Sequence, residues 1–477
     1  MADLLSVGID IGTSTTQVVF SRLELQNTSG FFSVPNVAIT EKKLLYKSMP
    51  HSTPLSAAYR LDADKLEEIV RQEYEKAGYL PEHVETGAVI ITGESARKEN
   101  AALVLSTLSR LAGDFVVSTA GPDLESVIAG KGSGACAWSE KNAGCTFNLD
   151  IGGGTTNIAV FRDGEAISCG CYDIGGRLLC FDEGRIIRKI SPSAQKLIDH
   201  LQLPLRVGSR ADTTAVRALT DKMAELLAEA LGMLPAEPLL EELTTSGSSR
   251  LRIPVGCAEH IFFSGGVADF LYSEKEFGDY PFQDIGALLG KSIRSGALFR
   301  HGRIHRAQET IAATVIGAGT YTTTLSGSTI TSDASVLPRK NLPVLKLFGE
   351  AEKAILRGDG TALREQAAWF MSQHDTESLA LAMEGPENPD YISLQRLAEA
   401  VISALEPVLP PTEPIYLVIH RDTAKALGFI MRRRLEDRRK CVVLDGIRLS
   451  GEAFIDIGAP LMDGLVVPVV LKTLIFG

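Results

Sequence analysis

Paired CxxC knuckles are absent from this sequence, and its seven cysteines are an odd number, which excludes a zinc-ribbon type of site and makes reduced thiols the expectation. Cys169 and Cys171 share one face of a predicted strand, but no second ligand pair accompanies them, so core packing is the simpler reading. No apolar run approaches the roughly 20 residues that span a bilayer. The most apolar late stretch, Leu465 to Leu471, contains Pro468 and runs into Lys472; it reads as a buried strand, and no membrane partner is expected. The opening MADLLSVGIDIG has neither a basic n-region nor a long apolar segment, so export is not expected and a cytoplasmic location is. An excess of positive charge is also lacking. The net charge is −11, whereas proteins that grip nucleic-acid backbones carry a basic stripe, so no nucleic-acid partner is expected. One basic cluster exists, Arg432, Arg433, Arg434, Arg438, Arg439 and Lys440. Leu427, Ile430, Met431 and Leu435 lie behind it at helical spacing, which fits a solvated helix face or a docking surface.

What is present is globular in character. Hydrophobic residues make up 45% and charged residues 22% of 477 positions, values that exclude disorder and a fibrous repeat. At the usual domain size of roughly 150 residues, the length corresponds to about three structural units.

One pattern occurs twice: VGIDIGTSTTQVVF from Val7 to Phe20, and FNLDIGGGTTNIAVF from Phe147 to Phe161. In each, an apolar strand ends in Asp-Ile-Gly, small residues follow, and an apolar strand resumes. Glycine lets the backbone bend tightly and turn successive N–H groups inward as an anion-binding concavity, to which threonine hydroxyls add donors. Such a turn suits a triphosphate. The candidate contacts are Gly12, Thr13, Ser14 and Thr15 in the first copy, and Gly152, Gly153, Gly154, Thr155 and Thr156 in the second. Asp10 and Asp150 at the strand ends would repel phosphate, so their natural partner is Mg2+, usually through waters that the ion retains. A lone copy is a common glycine hairpin. Two copies with their aspartates 140 positions apart point to a duplicated unit with a cleft between the halves.

Two further kinds of segment complete the set. Ile261 to Asp269, IFFSGGVAD, is an apolar strand running into Gly265 and Gly266, where bare backbone can approach a nucleoside closely or simply turn from strand to helix. Val127 to Trp138, VIAGKGSGACAW, and Thr310 to Tyr321, TIAATVIGAGTY, are dense in Ala, Gly and Ser at spacings of three and four. Glycine in a helix costs about 1 kcal/mol relative to alanine, so several of them need a reason: a hinge where two lobes shear, or a tightly packed static helix pair.

The order hairpin, small-residue helix, hairpin, SGG turn, small-residue helix resembles the actin-like ATPase superfamily. That resemblance implies an α/β, ribonuclease H-like duplicated fold: two lobes, each on a five-stranded mixed sheet, hinged around ATP and Mg2+. The expected units are 1–143 for the first lobe, 144–330 for the second with its last helix returning towards the first, and 331–477 for a C-terminal region ending in a small α/β unit. The superfamily's connecting-helix glutamate has no clear match. Asp123 and Glu125 lie close to that point, and the water-positioning role is open between them.

Within the superfamily, the chain is similar throughout its length to the ethanolamine ammonia-lyase reactivating factors. The similarity rests on TGESARKEN (Thr92 to Asn100), ESVIAGKGSGA (Glu125 to Ala135), LDIGGGTTNIAVF (Leu149 to Phe161), YDIGGRLL (Tyr172 to Leu179), VIGAGTYTTTLSGSTI (Val315 to Ile330) and the ending from Phe454 to Phe476. That family implies an ATPase that remodels another protein: ATP and Mg2+ drive exchange of damaged cobalamin on ethanolamine ammonia-lyase for adenosylcobalamin. The implied partners are the lyase and ATP/ADP. A homodimer and association with an ethanolamine microcompartment are both compatible with it. None of the eight histidines stands in a DxHxxG segment, so permanently bound cobalamin is not expected. The enzymatic rival, a sugar or polyol kinase, needs a carboxylate base beside the nucleotide, and no such base is identifiable.

Some residues in these segments have structural readings. Asp173 could reach a metal but reads more simply as a helix N-cap, and Ser95 likewise caps the helix carrying Leu103, Leu108 and Leu111, with Arg97 and Lys98 beside it. Leu66, Ile69, Val70, Tyr74 and Ala77 form the apolar stripe of a surface helix, with Asp64 and Glu67 as a capping box and Gly78 as the stop.

Overall fold

Alternation of apolar and small or polar residues sets the first sheet. In the strand Ala2–Ile11, Val7, Ile9 and Ile11 enter one core cluster, so Gly8 and Asp10 face the other side. In the returning strand Thr15–Asn27, Val18 and Phe20 join that cluster, so Gln17 and Val19 face away from it. The computed structural model describes 2–13, 15–27, 37–57, 60–92, 95, 99–109, 111, 122–253, 260–275, 277–321, 323–326, 331, 334–374, 376–436, 438–447, 454–460 and 466–472. Its first sheet has the order Val37–Lys47, Thr15–Asn27, Ala2–Ile11, Thr86–Ile91, with His51–Ser52 paired to the second of these. The hairpins are antiparallel, and Thr86–Ile91 lies parallel to Ala2–Ile11.

The second sheet repeats the plan: Glu165–Tyr172, Thr156–Arg162, Thr146–Ile151, His260–Ser264 and Arg303–His305 in that order. Two antiparallel junctions are again followed by parallel ones. Phe147, Leu149 and Ile151 point into the lobe's own core, and Asn148 and Asp150 face the opposite side. This duplicated pair of mixed sheets is the actin-like ATPase fold.

The small-residue segments form the seam between the lobes. The helix Pro122–Gly132 crosses the helix Ala313–Tyr321 so closely that a Cβ at Gly132 would stand 1.8 Å from the Ala313 carbonyl oxygen, and one at Gly317 would stand 2.1 Å from that of Ile128. The first of these helices packs on the second lobe, with Phe161 and Asn148 against Gly130; the second packs on the first lobe, with Val315 against Gly8. The predicted continuous segment Val127 to Trp138 is broken: Gly134 adopts φ +89°, and the helix Ala135–Lys141 starts afresh.

Beyond the lobes stands a seven-stranded sheet ordered Thr323–Leu325, Pro468–Lys472, Phe454–Ile457, Arg339–Lys346, Ala380–Met383, Ile415–Ile419, Cys441–Leu444. Its last four strands are parallel, with helices joining them. Arg339–Lys346 and Ala380–Met383 are central strands of this sheet. In the apolar ending Val466, Val467, Val469 and Val470 are fully buried, and its strand is Pro468–Lys472: Val467 and Val469 enter this sheet's core, Val466 packs on Leu4, Leu23 and Leu25 of the first sheet, and Val470 on Ala88 and Ile90. The basic cluster caps a helix, Ala424–Leu435, whose Leu427, Ile430, Met431 and Leu435 are buried; Arg439 is buried too and donates to the carbonyls of Glu413 and Leu409.

The helix Ala63–Ala77 ends at Gly78 in the left-handed conformation, as expected, and buries Leu66, Val70 and Tyr74. Its cap is Asp62, whose carboxylate accepts from the Lys65 amide, and not Asp64. The competing residue wins because it sits one position before the first helical residue, where an extended backbone lets the side chain fold back. Among the described residues no helix is long and apolar enough to cross a membrane.

Candidate functional site

The two glycine turns stand at equivalent strand ends of the two lobes. In each, the first glycine closes the turn on itself: the Gly12 amide donates to the Thr15 carbonyl and the Gly152 amide to the Thr155 carbonyl, both at 2.9 Å. In the second turn the amides that could serve an anion are the ones that follow. Those of Gly153, Gly154 and Thr155 have no hydrogen-bond partner among the described residues, and a Cβ at Gly154 would meet nothing within 4 Å, so this loop faces open space. A second layer holds it from behind. The amides of Gly176 and Arg177 donate to the carbonyls of Gly152 and Gly153 at 2.9 and 2.7 Å. In the first turn the Gly12 carbonyl accepts from the hydroxyls of Thr53 and Ser95, at 2.8 and 3.0 Å.

Asp10 and Asp150 come together across the seam. Burial drives the Asp10 carboxyl up to about 7; a hydrogen bond from Thr92 at 3.1 Å opposes this, and the nearby charge of Asp150 adds to it. Burial likewise drives Asp150 up to about 6, against hydrogen bonds from Ser264 at 2.6 Å and Thr314 at 3.4 Å. No basic side chain contributes to either shift. A half-buried carboxylate and a buried one, Asp10 and Asp150, each steadied by hydroxyl donors alone, form a donor set that fits a hard divalent cation, whose charge would relieve both. Among the described residues no cluster of three or more His, Cys, Asp or Glu is placed to bind a metal, so most of the ion's ligands here would be waters or phosphate oxygens.

Gly265 lies at the rim of the same cleft. Its φ of +82° and the Ile151 carbonyl oxygen 2.4 Å from any Cβ it might carry leave room for glycine only, and its amide donates to Thr310. Gly266 beside it is open, with a first contact at 4.0 Å. Thr13 and Thr15 are half-buried in the first turn; Ser14, Arg97 and Lys98 lie outside the described residues.

Other residues named from the sequence are committed elsewhere. Thr156 is fully buried and its hydroxyl donates to the Ile174 carbonyl at 2.7 Å, which turns it away from the cleft. Asp123 accepts from the amide and hydroxyl of Ser249 and from the Ser248 hydroxyl, so it anchors that loop. Glu125, two residues on, is buried in the first turns of the same helix. Asp173 is no helix cap, because no helix follows it; it accepts from Thr245 at 2.6 Å. Ser95 is no cap either. The helix it was to open starts only at Ala101, and its hydroxyl serves the first glycine turn. In that helix Leu108 is buried, with Leu111 just beyond its end, but Leu103 is 56% exposed.

Sequence reasoning did not single out Thr92, Ser264 and Thr314 as partners of the aspartates. Each stands inside a segment it had marked, TGESARKEN, IFFSGGVAD and TIAATVIGAGTY, yet a hydroxyl residue in such a segment carries no local sign of what it will touch.

Comparison with known proteins agrees along the whole length. The family model described as ethanolamine utilisation protein EutA matches residues 2–477. A Salmonella typhimurium protein named ethanolamine ammonia-lyase reactivase EutA is 37% identical over 480 residues, covering 99% of this chain and 98% of that one. The Escherichia coli K12 protein of the same name is 36% identical over 487 residues, with coverage of 99% and 98%. Among solved structures, the ethanolamine utilization protein EutJ from Carboxydothermus hydrogenoformans is similar at 18% identity and a TM-score of 0.33, over 67% of this chain and 90% of that one; these figures bear on neither ligand nor activity. With the family model matched from residue 2 to residue 477 and two relatives above one-third identity end to end, the chain belongs to the EutA family of ethanolamine utilisation proteins.

Proposed function

We propose that this protein is an ATP-dependent reactivating chaperone that makes an inactivated ethanolamine ammonia-lyase release damaged cobalamin, so that adenosylcobalamin can rebind. What carries the reading is the meeting of Asp10 and Asp150 at equivalent turns of two lobes, in a chain that is full-length kin to proteins named as reactivases of that lyase. When bound, Mg-ATP supplies a phosphoanhydride whose cleavage changes the charge held between the lobes. The chain's own residues do the rest. Asp10 and Asp150 orient the cation's waters, the amides after Gly12 and Gly152 hold phosphate oxygens, and Gly265 and Gly266 admit the nucleoside side. The crossing helices Pro122–Gly132 and Ala313–Tyr321 are the natural sliding surface between lobes, since at Gly132 and Gly317 each meets the other's backbone. Moving a two-state equilibrium from 1:99 to 99:1 takes about 5.5 kcal/mol of differential binding, within reach of a triphosphate held by both lobes in only one state.

Glu125 is the proposed water-orienting carboxylate: it is buried in the helix that crosses the seam, whereas Asp123 holds the loop at Ser248 and Ser249. A Glu125→Gln chain should bind Mg-ATP normally and turn it over at least about tenfold more slowly. Parental turnover by that variant would return the role to Asp123.

The direct test of the function uses lyase inactivated with cyanocobalamin, incubated with this protein, Mg-ATP and free adenosylcobalamin, with deaminase activity as the readout. Recovery that depends on ATP is the expected result. No recovery of a cognate lyase, together with ATP turnover stimulated by a sugar or polyol, would sink the reading in favour of a kinase.

A further inference from the structure

Unpaired polar atoms gather on the two hairpins. Among the described residues, six buried side-chain nitrogen or oxygen atoms have no hydrogen-bond partner, and four of them are Gln17 Nε2, Thr146 Oγ1, Asn148 Oδ1 and Asn157 Oδ1. Two of the four occupy equivalent places. Gln17 is the cross-strand partner of Asp10, and Asn157 is the cross-strand partner of Asp150. Residues directly opposite on antiparallel strands share a sheet face with Cβ atoms about 5 Å apart, so each amide stands beside one of the two aspartates and faces the other lobe. Both are deeply enclosed, at 4% and 2% exposure.

A buried amide atom with no partner is destabilising, and native chains seldom keep one unless a water, an ion or a ligand completes it. Here the cost is incurred twice, at equivalent positions of the two hairpins, opposite Asp10 and Asp150. A cation-bound water can only donate, which an amide oxygen matches; a phosphate oxygen can only accept, which an amide N–H matches. We infer that Gln17 and Asn157 are direct contacts of the bound cation–triphosphate, Asn157 Oδ1 accepting from a water on the cation and Gln17 Nε2 donating to a phosphate oxygen. The inference rests on the nucleotide reading of the cleft and names two residues that the glycine turns and aspartates do not include.

The test uses the full chain carrying Gln17→Met or Asn157→Leu, each close in volume to the residue it replaces. Two quantities are read: the thermal midpoint without ligand, and calorimetric binding of Mg-ADP beside ADP in EDTA. Because an unpaired polar atom is being removed, the unliganded midpoint should stay unchanged or rise, whereas a residue with an ordinary structural role would lower it. Mg-ADP binding should weaken by about tenfold or more in each variant, the loss of one good hydrogen bond to a charged group. Asn157→Leu should affect Mg-ADP more than ADP in EDTA. Binding of Mg-ADP within twofold of the parent overturns the assignment, as does a variant that fails to fold. A parent chain that binds no Mg-ADP overturns the nucleotide reading itself and this assignment with it.

Discussion

The Asp150→Asn chain is expected to lose ATP-dependent reactivation by at least about a hundredfold, the scale seen when a charged group that orients a reacting phosphate is removed. Asparagine keeps the shape of Asp150 and can still accept from Ser264 through its Oδ1, while its Nδ2 would donate to the Thr314 hydroxyl in place of the present bond; the charge that attracts a cation is removed. Asp10→Asn should behave the same way, since its carboxylate likewise accepts from a hydroxyl, that of Thr92 at 3.1 Å. Loss of fold cannot be the cause if the sign of the stability effect is right. Burial raises both carboxyls above their ordinary value, Asp10 to about 7 and Asp150 to about 6. The folded state therefore binds more protons than the unfolded state between about pH 4 and pH 7, and stability due to these groups is full below that window and declines as pH rises through it. At pH 8 the neutral asparagine escapes that loss. The unliganded midpoint of either variant should be equal to or above that of the parent, while the upward shift that Mg-ATP gives the parent disappears. Thermal unfolding at pH 8 with and without Mg-ATP, run beside the reactivation assay, reads both. A variant that reactivates at the parental rate would place the metal elsewhere.

Gly132→Ala is expected to be among the most damaging single-methyl additions in the protein. In an open helix this change is favourable by about 1 kcal/mol, because alanine is the better helix former. At Gly132 the new Cβ would lie 1.8 Å from the Ala313 carbonyl oxygen and 2.9 Å from the Gly317 amide nitrogen, and both are backbone atoms that cannot rotate away. The helices must separate, and overpacking of that kind costs about 1–3 kcal/mol or more, so the steric term exceeds the propensity gain and the net effect is destabilising. Gly317→Ala is the reciprocal change, with its Cβ 2.1 Å from the Ile128 carbonyl oxygen. Gly278→Ala, where a Cβ meets nothing within 4 Å, is the control and should be nearly neutral. Urea unfolding of the three variants decides the matter. A seam that tolerated Gly132→Ala without loss would mean that the two helices are not held in contact in solution.

Much of this was legible before any fold was known. Both hairpins follow from local pattern: an apolar strand, Asp-Ile-Gly, small residues, an apolar strand, each within about fifteen positions. The Gly78 stop is local in the same sense, because a single backbone conformation decides it. Readings failed where two local solutions competed. Asp62 and Asp64 are both capable caps, and only the point at which the chain enters the helix selects the first. Ser95 and Asp173 look like caps because capping is what such residues most often do, yet Ser95 is drawn to Gly12, 83 positions away in the chain, and Asp173 to Thr245, 72 positions away.

The sequence by itself determined the duplicated hairpin and the glycine turns with their two aspartates, because each is written in contiguous residues whose spacing obeys strand geometry, and its resemblance along the whole chain pointed to the family. Tertiary structure alone decided what those aspartates meet. Thr92 reaches Asp10 across 82 positions, Ser264 reaches Asp150 across 114 and Thr314 across 164. The same holds for the closeness of Gly132 to Ala313, and for the two amides left without partners beside the aspartates. The physical reason is that strand and turn preferences act over a few residues, whereas a hydrogen bond or a burial cost between distant segments exists only once two lobes have closed on one seam.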